Sequence, residues 1–311
     1  MTKKISFGSR STADQVLAGI DLSGQRILVT GCSSGIGFET MHALSANGAH
    51  VIGLARSLAD AQLACRKAGP SCSAVACDLA DLKSVAAAAA TVSEMQVPLD
   101  AVVANAAIAN LPKLRTRYGM ELQFFVNHVG HFALVSALLG QVRSGTGRIV
   151  IVSGRASIDR APAEGILFDN LDGRRFYEPS VFYGQSKLAN ALFAKELAQR
   201  LSGRGIAVNS LDPGSTRGTG IDRNLGARSK ILRAAAKVLA KAPPRGAATQ
   251  ALLAAGPSVR GISGEYWSNC QIASGSPLLQ NGELASRLWD VTTDIVARHG
   301  WPPDKALSEA A

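Results

Sequence analysis

Thr30-Gly31-Cys32-Ser33-Ser34-Gly35-Ile36-Gly37 is the stretch of this 311-residue chain that decides its fold. An apolar strand is predicted before it, over residues 26–31, and a helix after it, over residues 35–48. Gly31 permits a tight turn, Gly35 lets backbone approach a pyrophosphate, and Gly37 lets the helix pack closely on the strand. The N-terminus of that helix favours an anion. Glycines also serve ordinary turns, but this order of strand, turn and helix is typical of a dinucleotide-binding unit.

The same alternation of short apolar runs and longer helical patterns continues to residue 211. Strands are predicted near 26–31, 49–54, 73–77, 99–104, 147–153 and 205–211, with a further short one near 263–267. Helices are predicted near 35–48, 57–68, 81–95, 115–142 and 180–203. The strands are nearly all apolar, as expected for strands buried on both faces. The pattern therefore predicts an α/β fold with a doubly wound parallel sheet of the Rossmann type, in a single domain over residues 1–311.

The composition is that of an ordinary globular protein, with 47% hydrophobic and 18% charged residues. The longest apolar stretches, such as residues 132–139, are far shorter than the roughly 20 residues that a membrane span requires. Residues 1–11 are polar and lack the apolar core of a secretory signal, so a cytoplasmic location is expected. Five cysteines without a Cys-x-x-Cys pair or a histidine cluster argue against a disulfide framework and a zinc site. We expect small, buried or half-buried cysteines and no bound metal.

The formal net charge of +10 is partly concentrated between residues 217 and 245. That segment has one acid, Asp222, and these basic residues: Arg217, Arg223, Arg228, Lys230, Arg233, Lys237, Lys241 and Arg245. Those from Lys230 to Lys241 recur at helical spacing opposite an apolar face, which predicts an amphipathic basic helix. One interpretation is that the charged face is simply solvated. The other is that the segment forms a substrate lid over about 215–245, which either makes peripheral contact with anionic membrane lipid or meets an apolar substrate. Nucleic-acid binding is not expected, because the segment lacks interleaved aromatic residues and the other charges are dispersed.

The end of the second predicted strand bears on which dinucleotide is bound. Residues 51–57 read Val-Ile-Gly-Leu-Ala-Arg-Ser and contain no acid that could bind both ribose hydroxyls. Arg56 instead offers a planar cation suited to a 2′-phosphate. The sequence therefore favours NADP(H) over NAD(H), with an ordinary exposed arginine as the alternative interpretation of Arg56.

A tyrosine and a lysine occur at helical spacing downstream, in Tyr183-Gly184-Gln185-Ser186-Lys187. A separation of four residues puts the phenol and the ammonium side by side on one helix face. Free tyrosine titrates near ~10, too high to ionise readily at neutral pH, and a neighbouring cation favours the tyrosinate. The pair therefore suits proton transfer at an alcohol oxygen during hydride transfer. Without the glycine-rich turn upstream, a packed tyrosine beside an exposed lysine would be the better interpretation.

Together these features resemble the short-chain dehydrogenase/reductase family. Its version of the glycine-rich turn is Gly-x3-Gly-x-Gly preceded by threonine, as in residues 30–37. Longer stretches are similar to its retinol-dehydrogenase-like branch, namely residues 12–24, 124–132, 168–193 and 261–266. The resemblance covers nearly the whole chain, with an N-terminal extension over 1–24 and a C-terminal extension over about 283–311. It implies NADP(H)-dependent interconversion of a small-molecule carbonyl and its alcohol, often lipophilic or aromatic, with Tyr183 as general acid and base.

The resemblance also implies which residues contact the cofactor. These are Gly31, Ser33, Ser34, Gly35, Ile36, Gly37, Arg56, Asp78, Leu79, Asn105, Ala106, Tyr183, Lys187, Pro213, Gly214 and Thr216. Asp78 and Leu79 would contact adenine, and Lys187 would hold the nicotinamide ribose. Ala107 replaces the last glycine of the family's Asn-Ala-Gly segment, and Gly218 falls where the family has a threonine.

The expected catalytic residues are Asn127, Ser153, Tyr183 and Lys187. Asn127 matches an asparagine that supports a water-linked proton relay in the family, and the neighbouring His128 and His131 are expected to be structural. Relatives end the fifth strand with two small residues, the second being the serine that binds the substrate oxygen. Here the two are Ser153-Gly154. We expect Ser153 to take the role if a bulge corrects its direction, with Ser157 as a weaker alternative.

Two other functions fit the same motifs. Reduction of a ring double bond uses the same fold and Tyr/Lys pair in a related branch, whereas a non-catalytic NADP(H) sensor could have lost its chemistry through Gly154. A panel of carbonyls, alcohols and conjugated rings would separate these possibilities. The resemblance allows a homodimer through the predicted helices 115–142 and 180–203, and the alternative is that the segment 283–299 covers these surfaces.

Overall fold

An eight-stranded sheet forms the centre of the molecule. In the computed structural model, which describes residues 5–217 and 240–301, the strands in chain order are β1 (Arg26–Thr30), β2 (His50–Ala55), β3 (Cys72–Ala76), β4 (Ala101–Ala104), β5 (Thr116–Arg117), β6 (Met120–Glu121), β7 (Arg148–Val152), β8 (Ala207–Asp212), β9 (Tyr266–Ser268) and β10 (Gln271–Ile272). The sheet has the order β10-β9-β8-β7-β4-β1-β2-β3, and β5 pairs with β6 separately. Every neighbouring pair in the sheet is parallel except β9 with β10. The predicted doubly wound parallel sheet is confirmed.

Helices flank this sheet on both faces. Those within the described residues are α1 (Ala13–Leu17), α2 (Gly35–Ala46), α3 (Leu58–Ala68), α4 (Leu82–Glu94), α5 (Leu122–Phe124), a π-helical turn (Phe125–Val129), α6 (Gly130–Leu138), α7 (Arg155–Ile158), α8 (Pro179–Arg200), α9 (Pro243–Ala255) and α10 (Gly282–Arg298). Short 3-10 turns occupy Phe168–Asn170, Ser202–Arg204, Pro257–Val259 and Pro277–Gln280.

The core lies in two layers, one on each face of the sheet. On β1, Ile27 and Val29 belong to one layer and Leu28 to the other, because successive strand side chains point to opposite faces. Helices α1, α2, α3 and α9 cover the first layer, and α4, α6, α8 and α10 cover the second. Strands β1, β2, β4, β7 and β8 are buried almost throughout, as their apolar sequences predict, whereas the edge strands β3 and β10 are partly exposed.

Helix α8 carries the Tyr/Lys pair, and two residues fix where it begins. The Glu178 carboxylate accepts a hydrogen bond from the backbone N–H of Val181 at 2.8 Å. Pro179 takes a first-turn position, where its missing N–H has no helical partner to lose. The helix then runs without interruption to Arg200.

The predicted helix over 115–142 is wrong at its start. Residues 116–121 form the β5–β6 hairpin, and helical structure begins at Leu122. Tyr118 and Gly119 at the turn have φ angles of 51° and 76°. A two-residue hairpin turn requires this left-handed backbone, which glycine adopts at no steric cost. The apolar pattern that predicted the helix did not show where the β5–β6 hairpin ends and the helix begins.

Two cysteines are bonded, contrary to the expectation from the sequence. Cys65, near the end of α3, and Cys72, the first residue of β3, form a disulfide with Cα atoms 5.2 Å apart. The chain reverses at Gly69, where φ is +136°, and this brings the helix end to the strand start. The remaining cysteines are free and buried, as predicted: Cys32, Cys77 and Cys270.

Most of the basic segment over 217–245 lies outside the described residues, including Gly218, and so does the predicted helix from Lys230 to Lys237. The prediction that the amphipathic helix extends to Lys241 is wrong. Lys241 pairs in an isolated parallel bridge with Thr216, and α9 begins only at Pro243. The two ends of the segment therefore lie side by side.

Within the described ranges, no helix is long and apolar enough to cross a bilayer. The same ranges contain no group of three His, Cys, Asp or Glu side chains arranged to hold a metal ion.

Candidate active site

The glycine-rich turn lies where the strand order reverses, between β1 and β4. Gly31 has a φ of +69°, and a Cβ added to it would lie 2.9 Å from Cα of Ala106. A Cβ added to Gly37 would lie 2.3 Å from the carbonyl oxygen of Gly31. Side chains at these two positions would fill the space between the turn and the loop after β4. Doubly wound sheets bind their ligands in this crevice, outside the carboxyl ends of the strands.

Thr30 holds the ends of β1 and β4 together. Its hydroxyl accepts hydrogen bonds from the backbone N–H groups of Asn105 at 2.9 Å and Ala106 at 3.0 Å. In return, Nδ2 of Asn105 donates to the carbonyl oxygen of Thr30 at 2.8 Å. The loop that the sequence assigns to the cofactor is thereby fixed against the glycine-rich turn.

The N-terminus of α2 keeps donors available for an anion. Ser34 is the N-cap residue, but its side chain caps no backbone N–H, and Ser33 and Ser34 are both exposed. Ile36 and Thr216 converge on Gly246 in α9, where an added Cβ would lie 3.1 Å from Ile36 and 2.6 Å from the Thr216 hydroxyl. The segment after β8 therefore meets the glycine-rich turn.

The other predicted cofactor residues follow neighbouring strands. Asp78 comes after β3, and its carboxylate accepts a hydrogen bond from the backbone N–H of Ala80 at 3.0 Å. Gly130 leaves room for the carbonyl oxygen of Leu79, which would lie 2.4 Å from an added Cβ. Arg56 is exposed directly after β2. Since the carboxyl ends of parallel strands share one edge of the sheet, all of these residues lie at the edge that carries Gly31.

The predicted nicotinamide segment, Pro213-Gly214, comes directly after β8. Gly214 has a φ of +75°, and its backbone N–H donates to the Asp212 carboxylate at 2.9 Å. Lys241 packs behind the segment and donates to the carbonyl oxygen of Pro213 at 3.3 Å. The glycine cradle and the uncapped helix N-terminus together fit the pyrophosphate of a dinucleotide.

Tyr183 and Lys187 lie near the start of α8, and both are buried. Nζ of Lys187 is 5.8 Å from the centre of the Tyr183 ring and donates to the carbonyl oxygen of Val152 at 3.1 Å. Burial raises the pKa of the Tyr183 phenol to about 12 and lowers the pKa of the Lys187 ammonium to about 8. At neutral pH the phenol therefore holds its proton and the lysine is mostly charged.

Asn127 supports this part of α8 through Ser186. Nδ2 of Asn127 donates to the Ser186 hydroxyl at 3.0 Å, and that hydroxyl donates to the carbonyl oxygen of Tyr183 at 2.7 Å. The same amide exchanges two hydrogen bonds of 2.9 Å with the backbone of Ile108. Asn127 lies fully buried in the π-helical turn. Its side chain therefore joins three segments of the site.

His131 links Asn127 to the glycine-rich turn. Its Nδ1 lies 2.8 Å from the carbonyl oxygen of Asn127, and its Nε2 lies 2.9 Å from the Thr30 hydroxyl. Burial lowers the pKa of His131 to about 4, so the ring is neutral. Because a carbonyl only accepts, the ring proton is on Nδ1 and Nε2 accepts from Thr30. His128 is also buried, with Nε2 2.9 Å from the Thr292 hydroxyl.

Ser153 does not place its hydroxyl at the tyrosine phenol of α8. It donates to the carbonyl oxygen of Lys187 at 2.6 Å. The register of β7 with both of its neighbours is continuous, so no bulge turns Ser153 round. The side chain of Ser157 instead lies near enough to the Tyr183 phenol to oppose the rise in its pKa that burial causes.

Asp212 is a site residue that the sequence analysis missed. It ends β8, and its negative charge contributes to the raised pKa of Tyr183. A Cβ added to Gly154 would lie 4.0 Å from its Oδ1. The sequence feature that could have identified Asp212 is its position at the carboxyl end of a parallel strand, directly before Pro213-Gly214.

Comparison with known proteins finds similar sequences over most of the chain. A family model described as short chain dehydrogenase matches residues 25–166, which include the glycine-rich turn and Asn127. The WW domain-containing oxidoreductase of Pongo abelii is 36% identical over 305 residues, covering 95% of this chain and 73% of that protein. Retinol dehydrogenase 14 of Homo sapiens is 35% identical over 297 residues, covering 88% of this chain and 87% of that protein.

A solved structure is similar over most of the chain. The crystal structure of an uncharacterized protein from Mycobacterium Paratuberculosis has a TM-score of 0.73 at 26% sequence identity. The match covers 91% of this chain and 97% of that one.

Proposed function

The chain is an oxidoreductase that belongs to the short-chain dehydrogenase/reductase family, and we propose that it interconverts a carbonyl compound and its alcohol with NADP(H) as cofactor. The observation that carries the proposal is the placement of Tyr183 and Lys187. Both are buried on one face of α8, and Asn127, Ser186 and His131 connect that helix to the glycine cradle through hydrogen bonds.

Arg56 supports the choice of NADP(H). It follows β2 directly, is exposed, and stands at the strand edge where an acid would select NAD(H). Its guanidinium can hold a phosphate through two parallel hydrogen bonds. The 2′-phosphate is the only group by which the two cofactors differ.

Tyr183 is the proton donor in the reductive direction. When bound, the reduced nicotinamide supplies the hydride that adds to the carbonyl carbon. The phenol, protonated at neutral pH, gives its proton to the developing alkoxide oxygen, and the Lys187 cation stabilises the tyrosinate left behind. In the oxidative direction the tyrosinate takes the proton back from the alcohol.

We further propose a lipophilic or aromatic substrate, because one of the relatives carries the name retinol dehydrogenase 14. The test is a turnover screen of aldehydes, ketones, their alcohols and conjugated ring compounds, each with NADPH and NADH or their oxidised forms. We expect turnover of at least one lipophilic carbonyl with NADPH preferred. NADP(H) binding without turnover of any carbonyl or alcohol would contradict the proposal and favour a cofactor-sensing protein.

A further inference from the structure

Strand β7 ends without a hydroxyl directed at Tyr183. Ser153 turns to the carbonyl oxygen of Lys187, and the next residue is Gly154. Gly154 is buried, and its φ of 170° is extended backbone that any residue adopts. The glycine is therefore not required by its backbone conformation, and the space where its side chain would lie is available to another group.

The side chain of Ser157 approaches that space. A Cβ added to Gly154 would lie 3.4 Å from the Ser157 hydroxyl oxygen and 3.8 Å from the Ser157 Cβ. The backbone N–H of Ser157 donates to the carbonyl oxygen of Gly154 at 3.1 Å, which fixes the turn of α7 that carries the serine. The serine is partly exposed, so a substrate can reach it.

The same turn packs closely against the helix of the reacting tyrosine. A Cβ added to Gly184 would lie 2.5 Å from the carbonyl oxygen of Ser157 and 2.8 Å from the backbone nitrogen of Ala161. Glycine after Tyr183 therefore lets α7 reach α8. This contact places Ser157 beside the turn of α8 that carries Tyr183, and its side chain opposes the rise in the pKa of the phenol that burial causes.

We propose that Ser157 is the catalytic hydroxyl that, beside Tyr183, binds the substrate's carbonyl or alcohol oxygen, in place of a side chain at position 154. The assignment rests on the proposed function, since it needs a substrate oxygen at Tyr183. A hydroxyl there donates to the developing alkoxide and holds it in line with the phenol. Ser157 only donates a hydrogen bond in this role. The hydride still adds to the carbonyl carbon, and the proton still comes from Tyr183.

The first test is kinetic. Ser157→Ala should lower kcat/KM for carbonyl reduction about 100-fold, as removal of one oxyanion donor commonly does, and leave the dissociation constant of NADPH unchanged. In the double variant Gly154→Ser/Ser157→Ala, the extended backbone accepts the new side chain and the competing hydroxyl is gone. This double variant should recover most of the lost activity.

The second test needs no turnover and no cofactor. The chain has four tyrosines, Tyr118, Tyr177, Tyr183 and Tyr266, so an isotopic label at tyrosine Cζ gives four NMR resonances. Tyr183→Phe identifies the resonance of Tyr183 among them. Ser157→Ala should shift that resonance, whereas Ser153→Ala, which removes a hydrogen bond to the carbonyl oxygen of Lys187, should leave it in place.

The outcomes separate the two proposals. If Tyr183→Phe keeps wild-type turnover, the proposed function itself is wrong, whatever Ser157 does. If Tyr183→Phe is inactive while Ser157→Ala keeps both the wild-type kcat/KM and the Tyr183 resonance, the function stands and the role of Ser157 is overturned. A shift of the Tyr183 resonance by Ser153→Ala in place of Ser157→Ala would overturn it as well.

Discussion

The Thr30 hydroxyl and Nε2 of His131 lie 2.9 Å apart, although 101 residues separate them in the sequence. Thr30 holds the loop after β4, and His131 holds the carbonyl oxygen of Asn127. One neutral imidazole therefore connects the predicted cofactor turn to the residue that supports the helix of Tyr183.

His131→Leu should remove both contacts and leave two buried polar groups without their partner. We expect a loss of about 1–3 kcal/mol in the free energy of unfolding. Denaturant titration of the cofactor-free protein measures this loss. The control is His42→Leu, in which a half-buried histidine stacked on Phe38 is replaced, and it should cost less. Equal stability of the two variants would contradict the bridging role of His131.

Gly37→Ala should disturb the cofactor turn, because its Cβ would lie 2.3 Å from the carbonyl oxygen of Gly31. Relief of that overlap requires backbone movement, with an expected cost of about 1–3 kcal/mol in stability and much weaker binding of NADPH. Gly140→Ala is the matched control, since an added Cβ there has no atom within 4 Å. Thermal unfolding and NADPH fluorescence titration test both variants. Normal binding by Gly37→Ala would exclude the proposed cradle.

Arg56→Ala should weaken NADPH binding by roughly 10- to 100-fold, the value of one charge-assisted phosphate contact, and leave NADH binding nearly unchanged. Arg66→Ala on α3 removes another exposed arginine and should leave both affinities as they are. The dissociation constants of the two cofactors measure the effect. An equal loss for NADPH and NADH in Arg56→Ala would show that the arginine does not recognise the 2′-phosphate.

Asp212→Asn should move the pH dependence of alcohol oxidation to lower pH. The Asp212 charge raises the pKa of Tyr183, so its removal lets the tyrosinate form at a lower pH. Asparagine keeps an oxygen that can accept the hydrogen bond from Gly214. The control is Asp159→Asn, which removes an exposed carboxylate paired with Arg155. A profile of kcat/KM against pH that moves to higher pH, or stays in place, would contradict this electrostatic role.

The sheet was predictable because its strands are short, apolar and separated by clear helical patterns. The β5–β6 hairpin was not, since only the backbone at Tyr118 and Gly119 marks the turn. The Cys65–Cys72 bond was also missed, because cysteine counting cannot show that a helix end and a strand start meet.

Within the site, helical spacing was sufficient to pair Tyr183 with Lys187, since both are on one helix. The direction of Ser153 could not be read from the sequence, because it depends on whether β7 contains a bulge. The approach of Ser157 depends on the packing of α7 against Gly184, a contact between segments distant in sequence. Contacts of this kind leave no periodic signal.

The most direct test of the account is the kinetics of Tyr183→Phe with a carbonyl found in the turnover screen. The variant lacks only the phenol oxygen and keeps the ring, so the dissociation constant of NADPH should change little compared with kcat/KM for reduction, which should fall by about 100- to 10,000-fold. Wild-type kcat/KM in Tyr183→Phe would contradict the claim that Tyr183 transfers the proton.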